Sequence, residues 1–397
     1  MRKAMLGLLF TTALLAGLFG SVVFAQYRGA MQHAWPLGFG TLEGVPARYP
    51  PLERTRAAAE LIPLAGRLGV NLTPLAETPV YDVRVAQEYE SLADDLAVYL
   101  AQEAMRTNAT IGELPRAVAA FLSAHAAELD AVRAHLLRGD VRWAFALRSR
   151  GRWSELNPDG HVRLHRLLVA SALDKARRND RAAWDDLRAE WQLTRSLWQT
   201  PDLMSVSLAL QCARRTNAIV RKLPLPEPAW LREPREVDAR MAMLAAHQAA
   251  TWSFLQKPRG LARSRVANAI LRPYAALCSA SYAEASRRFA ARVAETRDCD
   301  VDRRDSIDRM RRSMPSWNVL SAAPSPFAWG WQNVHRFRAE SEATQRIQEL
   351  RAGFYPQPMS TCREGEWLFE NDTMRFSATI PPDDNWQTVD VPLEWNR

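Results

Sequence analysis

Residues 161–226 read HVRLHRLLVASALDKARR (161–178), ND (179–180), RAAWDDLRAEWQLTRSLW (181–198), QTPD (199–202), LMSVSLALQCARRTNAIVRKL (203–223) and PLP (224–226). Each long piece repeats its apolar residues at three- and four-residue intervals, which is one face of an α-helix. The pieces between them are polar or carry proline, and they are short. Helices of about 18–20 residues joined so briefly must fold back on their neighbours, giving antiparallel packing. Pro201-Asp202 and Pro224-Leu225-Pro226 punctuate the run. These residues set the fold class as mainly α.

The same spacing extends outward. Val85, Tyr89, Leu92, Leu96 and Leu100 form one stripe; Val118, Leu122, His125, Leu129, Val132 and Leu136 form another, with Pro115 expected in its first turn. Further helices are expected at 235–256, 263–297, 302–313 and 333–352. No strict repeat period joins them, so the pattern fits an irregular α-solenoid or helical bundle. After Tyr355-Pro356-Gln357-Pro358 the character changes. Residues 367–376 read as two short strands about Asn371-Asp372, and Thr388–Val391 as a third, giving a small C-terminal β-hairpin or meander that caps the helices.

At the other end, Met1-Arg2-Lys3 precedes an uncharged stretch, Ala4 to Ala25. A helix of that length reaches about 33 Å, enough for a hydrocarbon core of about 30 Å. Two readings stand: an uncleaved signal anchor, or a signal peptide cut after Ala25, with Val23 and Ala25 as the small residues. The apolar stretch exceeds the usual signal-peptide length, which favours the anchor. Arg2 and Lys3 hold the N-terminus in the cytoplasm and leave the remainder outside in either case. The expected organisation is therefore a membrane segment at 1–25, a linker rich in proline and glycine at 26–50, a helical domain at 51–355 and a β module at 356–397.

Charge is unevenly placed. Residues 26–137 carry 9 basic and 13 acidic side chains, residues 138–315 carry 34 and 20, and residues 316–397 carry 7 and 11. The middle segment thus holds an excess of +14, suited to anionic lipid or an acidic wall polymer if it is not simply a solvated arginine-rich surface. Nucleic acid is a poor partner for an exported domain. The four cysteines, Cys212, Cys278, Cys299 and Cys362, contain no CxxC pair. Cys212 and Cys278 lie in apolar helix and read as buried thiols. Cys299 and Cys362 lie in polar stretches, where a bridge would pin the tail to the body, although four cysteines allow three pairings.

Few residue groups carry the pattern of a chemical site. His161 and His165 stand four apart, as a metal pair requires, but Arg163 and Arg166 surround them and no glutamate lies between. Asp298, Asp300 and Asp302 open like a calcium loop that then places Arg303 and Arg309 where Gly and Glu are needed. Gly38-Phe39-Gly40 and Gly44 lack the strand, helix and lysine of a phosphate loop. No metal or cofactor is expected. Trp184, Trp191 and Trp198 recur every seven residues along one side of a helix; they pack a neighbouring helix, or else line an aromatic groove for a ligand. Trp329 and Trp331, two apart, cannot share one helix face and suit a turn or a membrane interface.

Leu167–Arg178, the Asn179-Asp180 break, Asp185-Asp186-Leu187-Arg188, Leu193–Trp198, and Pro201 with Leu203 form one pattern. Gln345–Arg351, Tyr355-Pro356, and Cys362 before Trp367 form its end. The arrangement resembles a loose group of uncharacterised bacterial envelope proteins. The resemblance implies an inner-membrane anchor, a helical body and a short β tail, with no activity to transfer. The leading expectation is a periplasmic helical scaffold that binds another envelope protein. A module for anionic lipid or wall glycan is the first alternative, and an envelope hydrolase with a dispersed site around His161 and His165 the second.

Overall fold

The computed structural model describes residues 2–32, 34–35, 40–41, 44–75, 77–147, 156–224, 227–231, 239–256, 265–295, 312–322, 326–360, 365–370, 373–377 and 391–396. It is mainly α, as the periodicity requires. Three antiparallel helices form its centre: α8 (Pro158–Arg177), α9 (Ala183–Trp198) and α10 (Leu203–Val220). The connections work as their chemistry dictates. Asn179 takes the left-handed conformation (φ 57°), Asn179 N–H donates to the Ala176 carbonyl, and Asp180 N–H reaches back to Lys175 O at 2.9 Å. That pair of bonds closes α8 in a Schellman turn, for which asparagine is second only to glycine. Asp202 then caps α10 by accepting from Ser205 N at 3.1 Å. Asn157 caps α8 in the same way, with Pro158 in its first turn.

Shorter helices cover this centre: α3 (Arg56–Arg67), α4 (Val83–Glu90), α5 (Ala93–Met105), α6 (Arg116–Ala124) and α7 (Ala126–Arg138). Each of the two early apolar stripes is therefore split. The break between α4 and α5 falls at Ser91-Leu92, and the break between α6 and α7 at His125. Pro115 precedes α6 rather than entering its first turn. α7 packs on α9, α3 on α7, and α5 on both α8 and α10. On the far side stand α11 (Ala239–Gln256), α12 (Arg265–Glu295) and α13 (Pro326–Arg351), the last lying along α10. The helix expected at 302–313 lies almost wholly outside the described residues. Trp329 and Trp331 sit within α13, not at a turn.

The C-terminal strands are β3 (Trp367–Glu370), β4 (Thr373–Phe376) and β5 (Glu394–Asn396), in antiparallel order β3-β4-β5. The hairpin is where the sequence places it. The strand that follows is Glu394–Asn396, with Trp395 opposite Met374, while residues 388–390, where a third strand is expected, lie outside the described residues. Trp367, Met374 and Trp395 bury one face of this sheet on Ala343 and Ile347 of α13, so it caps the helices. Such a small sheet holds its place through that face, since an isolated hairpin is marginal in water.

The N-terminal helix, α1 (Arg2–Gln32), does not stop at Ala25. Leu8, Phe10, Leu14, Leu15, Leu18, Phe19 and Val22 are exposed. From Val23 on, Val23, Ala30 and Met31 are buried, Tyr27 is half-buried, and α1 packs on α12. The stretch expected as a linker is thus partly built structure. It contains the end of α1, the two-stranded ribbon β1 (Ala34–Trp35) and β2 (Gly40–Thr41), and α2 (Val45–Arg48) with Val45 fully buried.

Candidate functional site

The interior between α8, α9, α10 and α13 contains an unusual amount of charge. On α9, Asp186 and Glu190 fall on the same stripe as Leu193 and Leu197, and all four are buried. Asp186 receives Arg133 Nη1 at 3.0 Å, Lys175 Nζ at 2.7 Å and Ser171 Oγ at 2.7 Å. On α10, Arg214 forms a two-pronged pair with Glu340 of α13, through Nε at 2.9 Å and Nη2 at 2.9 Å, while Arg336 approaches the same carboxylate at 3.2 Å. Lys222 meets Glu103 at 3.5 Å and donates to the carbonyls of Asn108 and Thr110. Burial pushes the Lys222 ammonium down to about 8 against the raising effect of Glu103. Arg221, lowered by burial to about 10, donates to Thr344 Oγ1, Glu340 O and Pro392 O. Each of these charges is met by several partners, which is the condition for keeping it in a low-dielectric interior.

One cluster has the composition of a catalytic centre. Glu190 accepts from His165 Nδ1 at 2.7 Å, from Thr194 Oγ1 at 2.6 Å and from Thr216 Oγ1 at 2.5 Å. The Cys212 thiol lies beside the same imidazole. Thiol, imidazole and carboxylate therefore follow one another across α10, α8 and α9, the order used in nucleophilic catalysis. Burial opposes charge on His165, but Cys212 and Glu190 outweigh it and raise its pKa to about 9. The ring is thus cationic at neutral pH and holds Glu190 as an ion pair. Cys212 is 3% exposed, while His165 and Glu190 are fully enclosed. In this conformation a substrate has no route to the sulfur.

His161, one turn earlier, behaves in the opposite way. Its Nδ1–H donates to Asn157 O at 2.8 Å, its ring meets Trp143 edge-on, and burial lowers its pKa to about 4. The two histidines share a helix but not a site. Among the described residues no group of three His, Cys, Asp or Glu side chains is arranged to hold a metal ion.

The tryptophan stripe is taken up by packing. Trp184 and Trp198 are buried; Trp184 donates Nε1–H to Pro224 O and meets Trp230 edge-on, and Trp198 packs on Phe337 of α13. Trp191 is half-buried against the same core. Cys212 and Cys278 are buried free thiols. The proposed Cys299–Cys362 bridge and the Asp298–Asp302 loop lie outside the described residues, as do Gly38 and Phe39; Gly44 precedes α2. His125 is half-buried, with its ring 4.5 Å from Phe121 and Nε2 3.3 Å from Glu88.

Sequence reasoning passed over Glu190, Asp186, Arg214 and Glu340. For the α9 pair a signal existed: two acids four apart on an apolar stripe are either misplaced or paired. Their partners lie on other helices, so no local pattern named them. No known protein family, curated protein or solved structure matches the chain.

Proposed function

We propose that this protein is a single-pass, membrane-anchored helical scaffold whose body lies outside the cytoplasm of a bacterial cell and binds another envelope protein. The observation that carries the reading is the division of α1. The residues described between Gly7 and Val22 are exposed and mostly apolar, and Arg2–Val22 at 1.5 Å per residue spans about 32 Å, the thickness of a bilayer core. The last part of α1 is locked into the body. The anchor and the domain are one continuous element, so the body is held at a fixed orientation to the membrane. Cleavage after Ala25 would sever a helix on both sides of which side chains pack, from Val23 to Met31.

Two further features support binding rather than catalysis. The charged side chains with catalytic potential are paired internally. By contrast, Phe354, Tyr355 and Met359, on the connection from α13 to β3, are 67%, 80% and 73% exposed. Three large apolar side chains so close in sequence and so open to solvent suit a protein contact. Crosslinking in intact cells, followed by purification of the tagged protein from membranes, tests this. A stoichiometric protein partner is expected, and it should be lost when Phe354 and Tyr355 become serine. Recovery of the protein alone, or a partner indifferent to both substitutions, would overturn the scaffold reading.

A further inference from the structure

Most basic side chains of the middle segment that reach the interior are matched by carboxylates or carbonyls. Arg166 of α8 and Arg215 of α10 are not. Neither forms an ion pair among the described residues, and the Nε atoms of both are buried without an acceptor. Burial lowers the Arg215 pKa, repulsion from the Arg166 guanidinium adds to the fall, and Cys212, Glu190 and Tyr89 oppose it. The Tyr89 hydroxyl of α4 faces Arg166; it too is buried and has no well-directed hydrogen bond. Cys212, which lies beside the His165 ring, also acts on Arg215.

The local charge does not balance. Glu190 is occupied by His165, Thr194 and Thr216. Glu90 is occupied by Arg163, whose guanidinium lies 5.2 Å from the centre of the Tyr89 ring. Neither arginine has a carboxylate within ion-pair distance among the described residues, and Glu190 and Cys212 act on Arg215 only from farther off. A planar guanidinium presents a fork of N–H donors that matches the oxygens of phosphate, and a pair of them on facing helices can grip such a group from two sides. Arg166 and Arg215 are half-buried, whereas Cys212, His165 and Glu190 are buried.

We propose that Arg166, Arg215 and Tyr89 form a binding site for a phosphate group, free or carried on a monoester headgroup. Arg166 and Arg215 supply the charge-assisted donors, and Tyr89 Oη–H donates to a further oxygen. The site does not depend on the scaffold reading, since it shares no residue with the Phe354, Tyr355 and Met359 patch.

The test uses the full-length protein in detergent and in lipid nanodiscs. In detergent, inorganic phosphate at about tenfold its dissociation constant should raise Tm by about 3 °C over chloride of equal ionic strength. Arg166→Gln and Arg215→Gln should each abolish that rise. In phosphate-free buffer each variant should melt no lower than the parent, because one of two repelling cations is gone, and this separates loss of a ligand site from loss of folding. Nanodiscs with and without phosphatidic acid identify the source. A higher Tm with that lipid, absent in both variants, assigns a headgroup; a rise with inorganic phosphate alone assigns a soluble ligand. No rise with either probe, a rise matched by chloride, or a rise that survives both substitutions would overturn the proposal.

Discussion

Helices α1 and α10 invert the usual relation between hydropathy and burial. Among the described residues α1 is the one helix long and apolar enough to cross a membrane, and the large side chains described in its first part are exposed. α10 carries Arg214 and ends beside Arg221 and Lys222, and all three are buried. The difference teaches that burial in a soluble core is only one answer to a side chain's free energy. In the proposed anchor, Leu8, Phe10 and Leu15 would gain their stabilisation from a second solvent, the lipid, and would need no protein neighbour. Arg214 lies in the core because Glu340, Arg336 and Asn333 make a local environment for it that replaces water.

Removing residues 2–22 should give the largest effect. The variant keeps Val23, Tyr27, Ala30 and Met31, so the body should retain its helical signal by circular dichroism while leaving the membrane fraction completely. If it still sediments with membranes after a salt wash, α1 is not the anchor and the contrast with α10 fails. On the other side of the comparison, Glu340→Ala strands Arg214 and Arg336 in the core. A loss of about 3–5 kcal/mol is expected from urea denaturation of the anchor-deleted protein. A loss below about 1 kcal/mol would mean that water reaches the pair and that α10 is not truly buried.

A third effect sharpens the comparison by pH. The folded pKa of His165 is raised to about 9 from an ordinary value near 6.5, so its contribution is fully present below pH 6.5. That contribution disappears as pH rises through about 9 and is on the order of 3 kcal/mol. The urea midpoint of the parent should therefore fall relative to that of His165→Asn across this window. His161, lowered to about 4, acts in reverse: its contribution is present above pH 6.5 and is lost as pH falls through about 4. Parallel midpoint curves for parent and variant between pH 6.5 and 9 would mean that His165 is neutral. The smallest effect concerns stability at the exposed patch. Phe354→Ser should change the unfolding free energy by no more than about 0.5 kcal/mol. A much larger loss would show that this side chain packs in the body and is not available to a partner.

Much of the architecture was legible because it follows from local rules. The Asn179-Asp180 break, the cap at Asp202 and the hairpin about 371–372 each depend on residues within one turn of one another. Other boundaries escaped for an equally physical reason. A stripe such as Val85–Leu100 keeps its phase through a two-residue interruption, so periodicity alone does not reveal the split at Ser91-Leu92. The end of α1 was misplaced because Ala25 marks where composition changes, while the backbone continues to Gln32 to pack Ala30 and Met31.

The sequence by itself determined that the chain is mainly helical, that α8, α9 and α10 fold back on one another, that a membrane-length apolar helix begins it and a small sheet closes it. These are consequences of period, length and turn chemistry, which act between near neighbours. Only the tertiary structure decided which charges are internal. Arg214 meets Glu340 across 126 residues of chain, while Arg166 and Arg215 form no ion pair among the described residues. Net charge counted along a chain is blind to that distinction, because the energy of a buried ion is set by what folding brings within about 4 Å of it.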